Sequence, residues 1–463
     1  MAEALAPLVG PDDPRFADLA LGVERDPEAL REVAGDESVV RPVVPGAAVF
    51  PRTVGEISAA LRWAHDHRIP VTARGAGSGK AGGCVPSAGG LVLGLAQMDS
   101  ILSVRPEDGY AEVEPGVITG TFRDAMAHEH GLFYPPDPAS LSWCTLGGNV
   151  ATNAGGPVAL QYGVTERFVL GLTVVLADGR VIETGRRQPK DVAGYDLTSL
   201  LVGSEGTLGV IAGVRLGLLP EPREVKAAVL GFDTLVAATT ALVESRAVGI
   251  LPRAMELVDP VTLQRVRARW DGPDLPFGIG EASKALLLVE VDGVEGSTER
   301  TLQALLEAVE PRAAVVPETA AEREALWATR REMSRRVKEG AVGWVSEDIA
   351  VPLGEMARVV GRLETIGEQH GLVIAAYGHA GDGNLHVNVL WEDPAGEDRA
   401  GPALDAVMRL AMDAGGTITG EHGVGRAKRS WIASQLGAPV LELQRAIKAA
   451  WDPAGILNPG VKI

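Results

Sequence analysis

Behind Thr53, apolar residues recur at Ile57, Leu61 and Trp63-Ala64, with Glu56 three places after the threonine. That spacing and the capping-box pattern predict a helix over 53–67. Short apolar runs at 71–74 and 91–95 read as strands. Runs at 171–177 and 181–182, split by Asp178-Gly179, read as a hairpin. Residues 41–220 thus alternate short strands, glycine loops and a few helices. After Pro220 and Pro222 the pattern changes to helical stretches at 301–309 and 321–338 and strands at 285–291 and 373–377. The run 391–402 reads as a loop, and the last sixty residues as mostly helical until the Pro and Gly of 452–463. The expected organisation is an N-terminal helical segment (1–40), a first domain (41–220), an α+β domain (221–405) and a C-terminal segment (406–463).

Composition narrows the function classes. The 463 residues are 46% hydrophobic and 22% charged, which suits a globular protein with a sizeable core. A net charge of −18 opposes nucleic acid and anionic membranes. An anionic substrate then needs a local basic site. Cys84 and Cys144 are the two cysteines, too few for a disulfide framework or a thiolate zinc site, and they suit a reducing cytoplasm. The N-terminus lacks a basic n-region, and no apolar run reaches the ~18–20 residues of a membrane span. A soluble cytoplasmic protein is expected, one that reaches a membrane only through partners.

The stretch VTARGAGSGKAGG raises the question of a phosphate ligand, because Gly77, Gly79 and Gly82 satisfy G-x-G-x-x-G. An ATPase loop needs Gly at the position of Arg74 and Ser or Thr at that of Ala81, so both ends fail. A dinucleotide fingerprint needs a helix after the third glycine, but Pro86 and a strand follow instead. Backbone amides of a bare glycine loop can still face a pyrophosphate. Further glycine loops span 135–156, 162–165 and 203–211. Several such loops in one domain suggest a long cofactor wrapped by backbone.

The ordered motifs Arg74-Gly75-Ala76-Gly77-Ser78-Gly79, Pro136-Asp137, Gly147-Gly148-Asn149, Asn153-Ala154-Gly155-Gly156, Tyr162-Gly163 and Gly203-Ser204-Glu205-Gly206-Thr207-Leu208-Gly209 resemble the FAD-binding domain of the vanillyl-alcohol oxidase/p-cresol methylhydroxylase superfamily. Within it the chain is similar to the branch of glycolate oxidase flavoprotein subunits, D-lactate dehydrogenases and D-2-hydroxyglutarate dehydrogenases. The resemblance implies an α+β fold: a two-part FAD-binding domain, a cap domain with an antiparallel sheet, and a helical C-terminal segment that completes the active site. It implies that these motifs, with Thr145, Ile211 and Asn458, contact FAD, the first loop holding the pyrophosphate. Some members attach flavin through a histidine in that loop. Residues 74–83 contain none, so non-covalent FAD is expected.

Two short motifs carry three of the eight histidines. In YGHAGDGNLHVNV, a two-residue turn at Asp382-Gly383 places His379 opposite His386. Directly opposed residues share a face with Cβ atoms ~4.5–5.5 Å apart, so both imidazoles can reach one divalent ion. A pair of stacked histidines without metal is the plainer alternative. TGEHGVGR offers a third ligand in Glu421, with His422 beside it. The resemblance assigns His379, His386 and Glu421 to a metal and His422 to the catalytic base. Zinc is the first choice, and these ligands leave manganese or iron open.

These parts allow a 2-hydroxyl group to lose its proton to His422 while hydride passes to flavin. By resemblance Arg330 binds the substrate carboxylate, and Ser334 sits four residues on along the same helix face. Ser346 stands where the 2-hydroxyglutarate enzymes carry a lysine, which points to a monocarboxylate such as D-lactate or glycolate. The electron acceptor stays open among quinone, cytochrome, electron-transferring flavoprotein and an iron–sulfur subunit, and a homodimer is one open assembly. Two other function classes compete: a non-catalytic flavin-carrying subunit of a larger complex, and a non-redox flavoenzyme of the same fold.

Overall fold

The computed structural model describes residues 13–19, 21–188, 190–270, 278–280 and 282–463. Contacts divide the chain into two units. The first takes the chain up to Ala154, Val164–Glu221 and Glu421–Ile463, and the second takes Gly155–Gly163 and Pro222–Gly420.

Among the described residues the first unit holds two larger sheets and a two-stranded ribbon of Leu132–Phe133 with Leu219–Pro220. Strands Ala47–Val49 and Val71–Arg74 flank Leu91–Gly94 in parallel, with short Val23–Glu24 on the outer edge. Helix Val54–His67 connects two of these strands. Thr53 Oγ1 caps it by accepting the Glu56 amide at 3.2 Å. Its stripe of Ile57, Leu61 and Ala64 is fully buried against the strands, as the periodicity predicts. Ile456 and Leu457 enter the same core, and Leu457 bridges Val71 in parallel. The other sheet has five antiparallel strands: Ile101–Arg105, Tyr110–Val113, Val210–Gly217, Val169–Val175 and Val181–Gly185, in that spatial order. The expected hairpin around Asp178-Gly179 is its edge.

One stretch read as pure loop is partly helical. Leu146–Thr152 forms a helix, with Thr145 as N-cap and Asn153 at φ +56° closing it. The glycines there mask the signal, but buried Leu146 and Val150, four apart, pin the turn to the core.

The second unit is built on a seven-stranded antiparallel sheet, ordered Ala313–Val315, Glu224–Phe232, Ala285–Gly293, Ala254–Val258, Val373–Gly378, Asn384–Trp391 and Gly343–Ala350. Helices Pro260–Ala268 and Ala320–Lys338 send Leu263, Val266, Met333 and Val337 into one apolar cluster with Val258, Leu286, Leu288 and Tyr377. The run read as a loop at 391–402 is corrected: a helix spans Gly396–Asp413 with Pro402 inside it. Buried Ala400, Ala403, Leu404, Val407, Met408 and Ala411 supply a helical stripe whose burial outweighs the hydrogen bond the proline forfeits.

Candidate active site

In the first unit the loop after strand Val71–Arg74 leaves its backbone unobstructed by large side chains. Gly77 has φ +83°, and a Cβ there would fall on the Arg74 guanidinium. That guanidinium is held by Gly35, its Nη1 donating to the carbonyl at 2.5 Å. Among the described residues, the amides of Ala76, Gly77, Ser78, Gly79 and Lys80 donate to no protein acceptor. Adjacent amides without a protein acceptor in a half-buried loop fit the oxygens of a pyrophosphate. No helix follows Gly82, so any phosphate here meets loop amides alone.

The other motif residues of this unit brace that loop and its neighbours. A Cβ on Gly75 would strike Thr145 Oγ1, which accepts the Gly148 amide at 3.2 Å. Gly147 donates to Pro115 O at 2.8 Å, and Asn149 Nδ2 to Thr119 Oγ1 at 2.7 Å. Asn153 Oδ1 accepts the Glu166 amide at 2.9 Å. Pro136 and Asp137 lie in irregular chain after strand Leu132–Phe133, Gly206 has φ +70°, Gly209 precedes strand Val210–Gly217, and Ile211 is buried in it. Buried Asn458 donates from Nδ2 to the carbonyls of Gly83 (2.9 Å) and Glu205 (2.8 Å). The Glu205 carboxylate receives the amides of Val424 and Gly425, so it anchors the turn that carries His422.

Gly155, Gly156, Tyr162 and Gly163 group with the second unit. There the Tyr162 hydroxyl donates to Asp292 Oδ2 at 2.6 Å and Gln161 Nε2 to Oδ1 at 3.1 Å. Arg253 closes the network, reaching Asp292 and Glu290 at 3.0 Å each.

The histidine hairpin of the second unit differs from the expected two-residue turn. Tyr377, not His379, pairs with His386. A 3₁₀ turn at Ala380–Asp382 lengthens the connection, and the Asn384 amide donates to His379 O at 3.1 Å. The register has slipped by two residues, and side chains alternate with period two, so the facing relationship survives. The His379 and His386 rings meet edge to face with centroids 5.1 Å apart.

Buried Glu256 on strand Ala254–Val258 faces the pair. Its Oε1 lies 2.6 Å from His379 Nδ1, and its Oε2 accepts from Arg330 Nε at 2.8 Å and forms an ion pair with Nη2 at 2.6 Å. Burial pushes the Glu256 carboxyl up, but the facing His379 and Arg330 overcome this and hold it at about 2. Arg330 comes from helix Ala320–Lys338, where it is buried with Met333 and Val337 and lies over the Tyr377 ring at 4.8 Å. Its Nη1 meets no acceptor among the described residues. Ser334, one turn on, accepts from Lys338 at 3.3 Å. Ser346 donates to Asn388 Oδ1 at 2.9 Å.

On the adjoining strand Asp348 pairs with His386, and its carboxylate accepts from Thr419 Oγ1 at 3.0 Å and the Gly420 amide at 2.6 Å. Gly420 is thereby fixed to this sheet, and Glu421 follows it by one peptide bond. The donor atoms of His379, His386 and Glu421 all lie within 4.8 Å of one another. Two imidazoles and a carboxylate at that spacing fit a divalent ion and leave coordination positions open. Glu256 and Asp348 were missed from the sequence. The available signal was a lone acid, Glu256, in one buried strand and the adjacent acids Glu347-Asp348 in another, since buried charges demand partners.

Residues 221–461 match the C-terminal domain of FAD linked oxidases, and residues 45–185 match an FAD binding domain. The glycolate oxidase subunit GlcD of Bacillus subtilis is 38% identical over 422 residues, covering 90% of this chain and 88% of that one. A D-lactate dehydrogenase of Archaeoglobus fulgidus is 36% identical over 424 residues, 89% and 90% of the two chains. Among solved structures, substrate-bound p-cresol methylhydroxylase aligns with a TM-score of 0.80 at 18% identity, covering 98% of both chains. The likeness to that structure concerns the fold.

Proposed function

The chain belongs to the FAD-linked oxidase family and is an FAD-linked oxidoreductase acting on CH–OH groups, and on that premise we propose that it oxidises a short D-2-hydroxy acid, D-lactate or glycolate, with a divalent metal held by His379, His386 and Glu421. The convergence of those three donors within 4.8 Å carries the reading. The names of the relatives, glycolate oxidase subunit and D-lactate dehydrogenase, support the substrate class.

FAD, when bound, supplies the acceptor for the hydride from C2 of the substrate. The metal supplies a Lewis acid that acidifies the 2-hydroxyl. The protein's own residues do the rest. Arg330 meets the substrate carboxylate with its remaining edge, Ser334 lies on the same helix, and Tyr377 backs the guanidinium. His422 takes the hydroxyl proton on a ring nitrogen. Ser346, hydrogen-bonded to Asn388, offers no cation for a second carboxylate, so a monocarboxylate suits the site better than a dicarboxylate. Zinc is the preferred ion for two imidazoles and one carboxylate.

The motif residues from Arg74 to Gly79 serve the FAD pyrophosphate, and Pro136, Asp137, Thr145, Gly147, Gly148, Asn149, Asn153, Gly155, Gly156, Tyr162, Gly163, Glu205, Gly206, Gly209, Ile211 and Asn458 shape the rest of the flavin pocket. Among the described residues no helix is long and apolar enough to cross a membrane. The name GlcD, given to a subunit, supports operation within a complex that passes electrons onward.

Anaerobic mixing with D-lactate or glycolate tests the reading. Bleaching of the oxidised-flavin band at roughly 450 nm, abolished by a chelator and restored by zinc or manganese, is expected. Bleaching that survives complete removal of metal overturns the metal-assisted mechanism. No bleaching with any 2-hydroxy acid overturns the substrate class.

A further inference from the structure

We propose that Glu256 is the positioning residue of this centre: one carboxylate oxygen fixes the ring of His379 so that its Nε2 faces the metal, while the other holds Arg330. The inference rests on the metal reading given above and adds to it a residue more than a hundred positions away in the chain. Glu256 is fully buried, so no solvent competes for its oxygens. An ionised carboxylate only accepts hydrogen bonds. At 2.6 Å from Oε1, His379 Nδ1 therefore carries the proton, and in a neutral ring the lone pair is on Nε2. The strand register makes the contact hard to avoid. Val258, on the same face as Glu256, pairs with Tyr377, two residues before His379. Oε2 is taken by Nε and Nη2 of Arg330, which orients the fork and leaves Nη1 for a substrate.

The coupling has a chemical consequence. In Glu256→Gln, Arg330 requires the amide oxygen, so the amide NH₂ is turned toward His379 Nδ1. That nitrogen must then accept, and the proton moves to Nε2, the atom otherwise offered to the metal. Loss of such an orienting partner typically costs about 10–100-fold in metal affinity.

The test uses the full-length, FAD-bound protein stripped of metal by a chelator and titrated calorimetrically with Zn²⁺ or Co²⁺ alone. Wild type, Glu256→Gln and His379→Ala are compared, with the flavin spectrum and melting temperature recorded for each. The expected result is tight binding in wild type, binding abolished in His379→Ala, and binding about 10–100-fold weaker in Glu256→Gln with flavin retained. Unchanged metal affinity in Glu256→Gln overturns the role of Glu256 and leaves the metal site standing. Equal affinity in wild type and His379→Ala removes the metal site and this inference with it. Should Glu256→Gln fail to fold, ¹⁵N-histidine NMR of wild type reads the tautomer directly, His379 being assigned by its absence in His379→Ala. An Nδ1–H ring is expected, and an Nε2–H ring overturns the proposal.

Discussion

Glu205 Oε2 accepts the amide of Gly425 at 2.7 Å. Its other oxygen accepts from Val424 at 3.0 Å and pairs with Lys462 at 3.2 Å. Glu205 is buried and held at φ +54°, so strain and desolvation are both spent on anchoring one turn. Replacing it with Ala strips two amides and an ammonium of their acceptor. The expected cost is about 2–4 kcal/mol in unfolding free energy. Because His422 sits just before the anchored amides, kcat should fall at least about tenfold even in the folded fraction. Denaturant unfolding with parallel steady-state kinetics checks both, and an unchanged midpoint would count against the anchor.

His379→Ala and His386→Ala should each bind FAD as wild type does while losing metal. Turnover should drop by about 10²–10⁴-fold, the scale of a lost Lewis acid. Elemental analysis beside flavin absorbance separates this outcome from general misfolding, which would empty both sites together.

Arg330→Met should raise KM for the substrate acid and also destabilise the protein, because Glu256 is left buried without its cation. A loss of about 3–5 kcal/mol is the scale for a broken buried pair. Arg330→Lys should recover part of the stability and little of the KM, since an ammonium lacks the planar fork that serves Glu256 and substrate together. KM and melting temperature, measured on both variants, decide the matter.

Burial pushes the Asp259 carboxyl up to about 6, although it caps helix Pro260–Ala268 by accepting the Thr262 amide at 2.7 Å. Between the ordinary carboxyl value and about 6 the folded protein holds a proton that the unfolded chain has released. Stability from this residue is therefore full below the unfolded value, falls as pH rises through that window, and is constant above it. Asp259→Asn keeps an acceptor for the cap and removes the titration. Its melting temperature should gain on wild type as pH rises from about 4 to about 6, with the gap then holding steady. A gap independent of pH refutes the assignment.

Local patterns were legible because their physics is local. The 3.6-residue stripe of Ile57, Leu61 and Ala64 names its own helix, and the glycines around Gly77 announce a turn with a left-handed residue. The facing histidines were legible for a subtler reason: the turn length was misjudged by two residues, and a period-two pattern forgives an even error. What stayed hidden was long-range. Glu256 reaches His379 across 123 positions, and no window of sequence contains both. Helix Gly396–Asp413 was hidden because Pro402 and the glycines speak against it locally, while its buried stripe becomes decisive only against a formed sheet.

The pairing of Leu457 with Val71, reinforced by Asn458 on Thr72 and Gly83, also bears on biosynthesis. A nascent chain emerging from the ribosome must expose its early strands until a neighbour 386 positions further along has been made. Chaperone protection during that interval matters more here than in a protein whose first domain closes as it is made. A premature stop only a few codons upstream of Ile456 would accordingly behave as a null allele and not as the trimming of a tail.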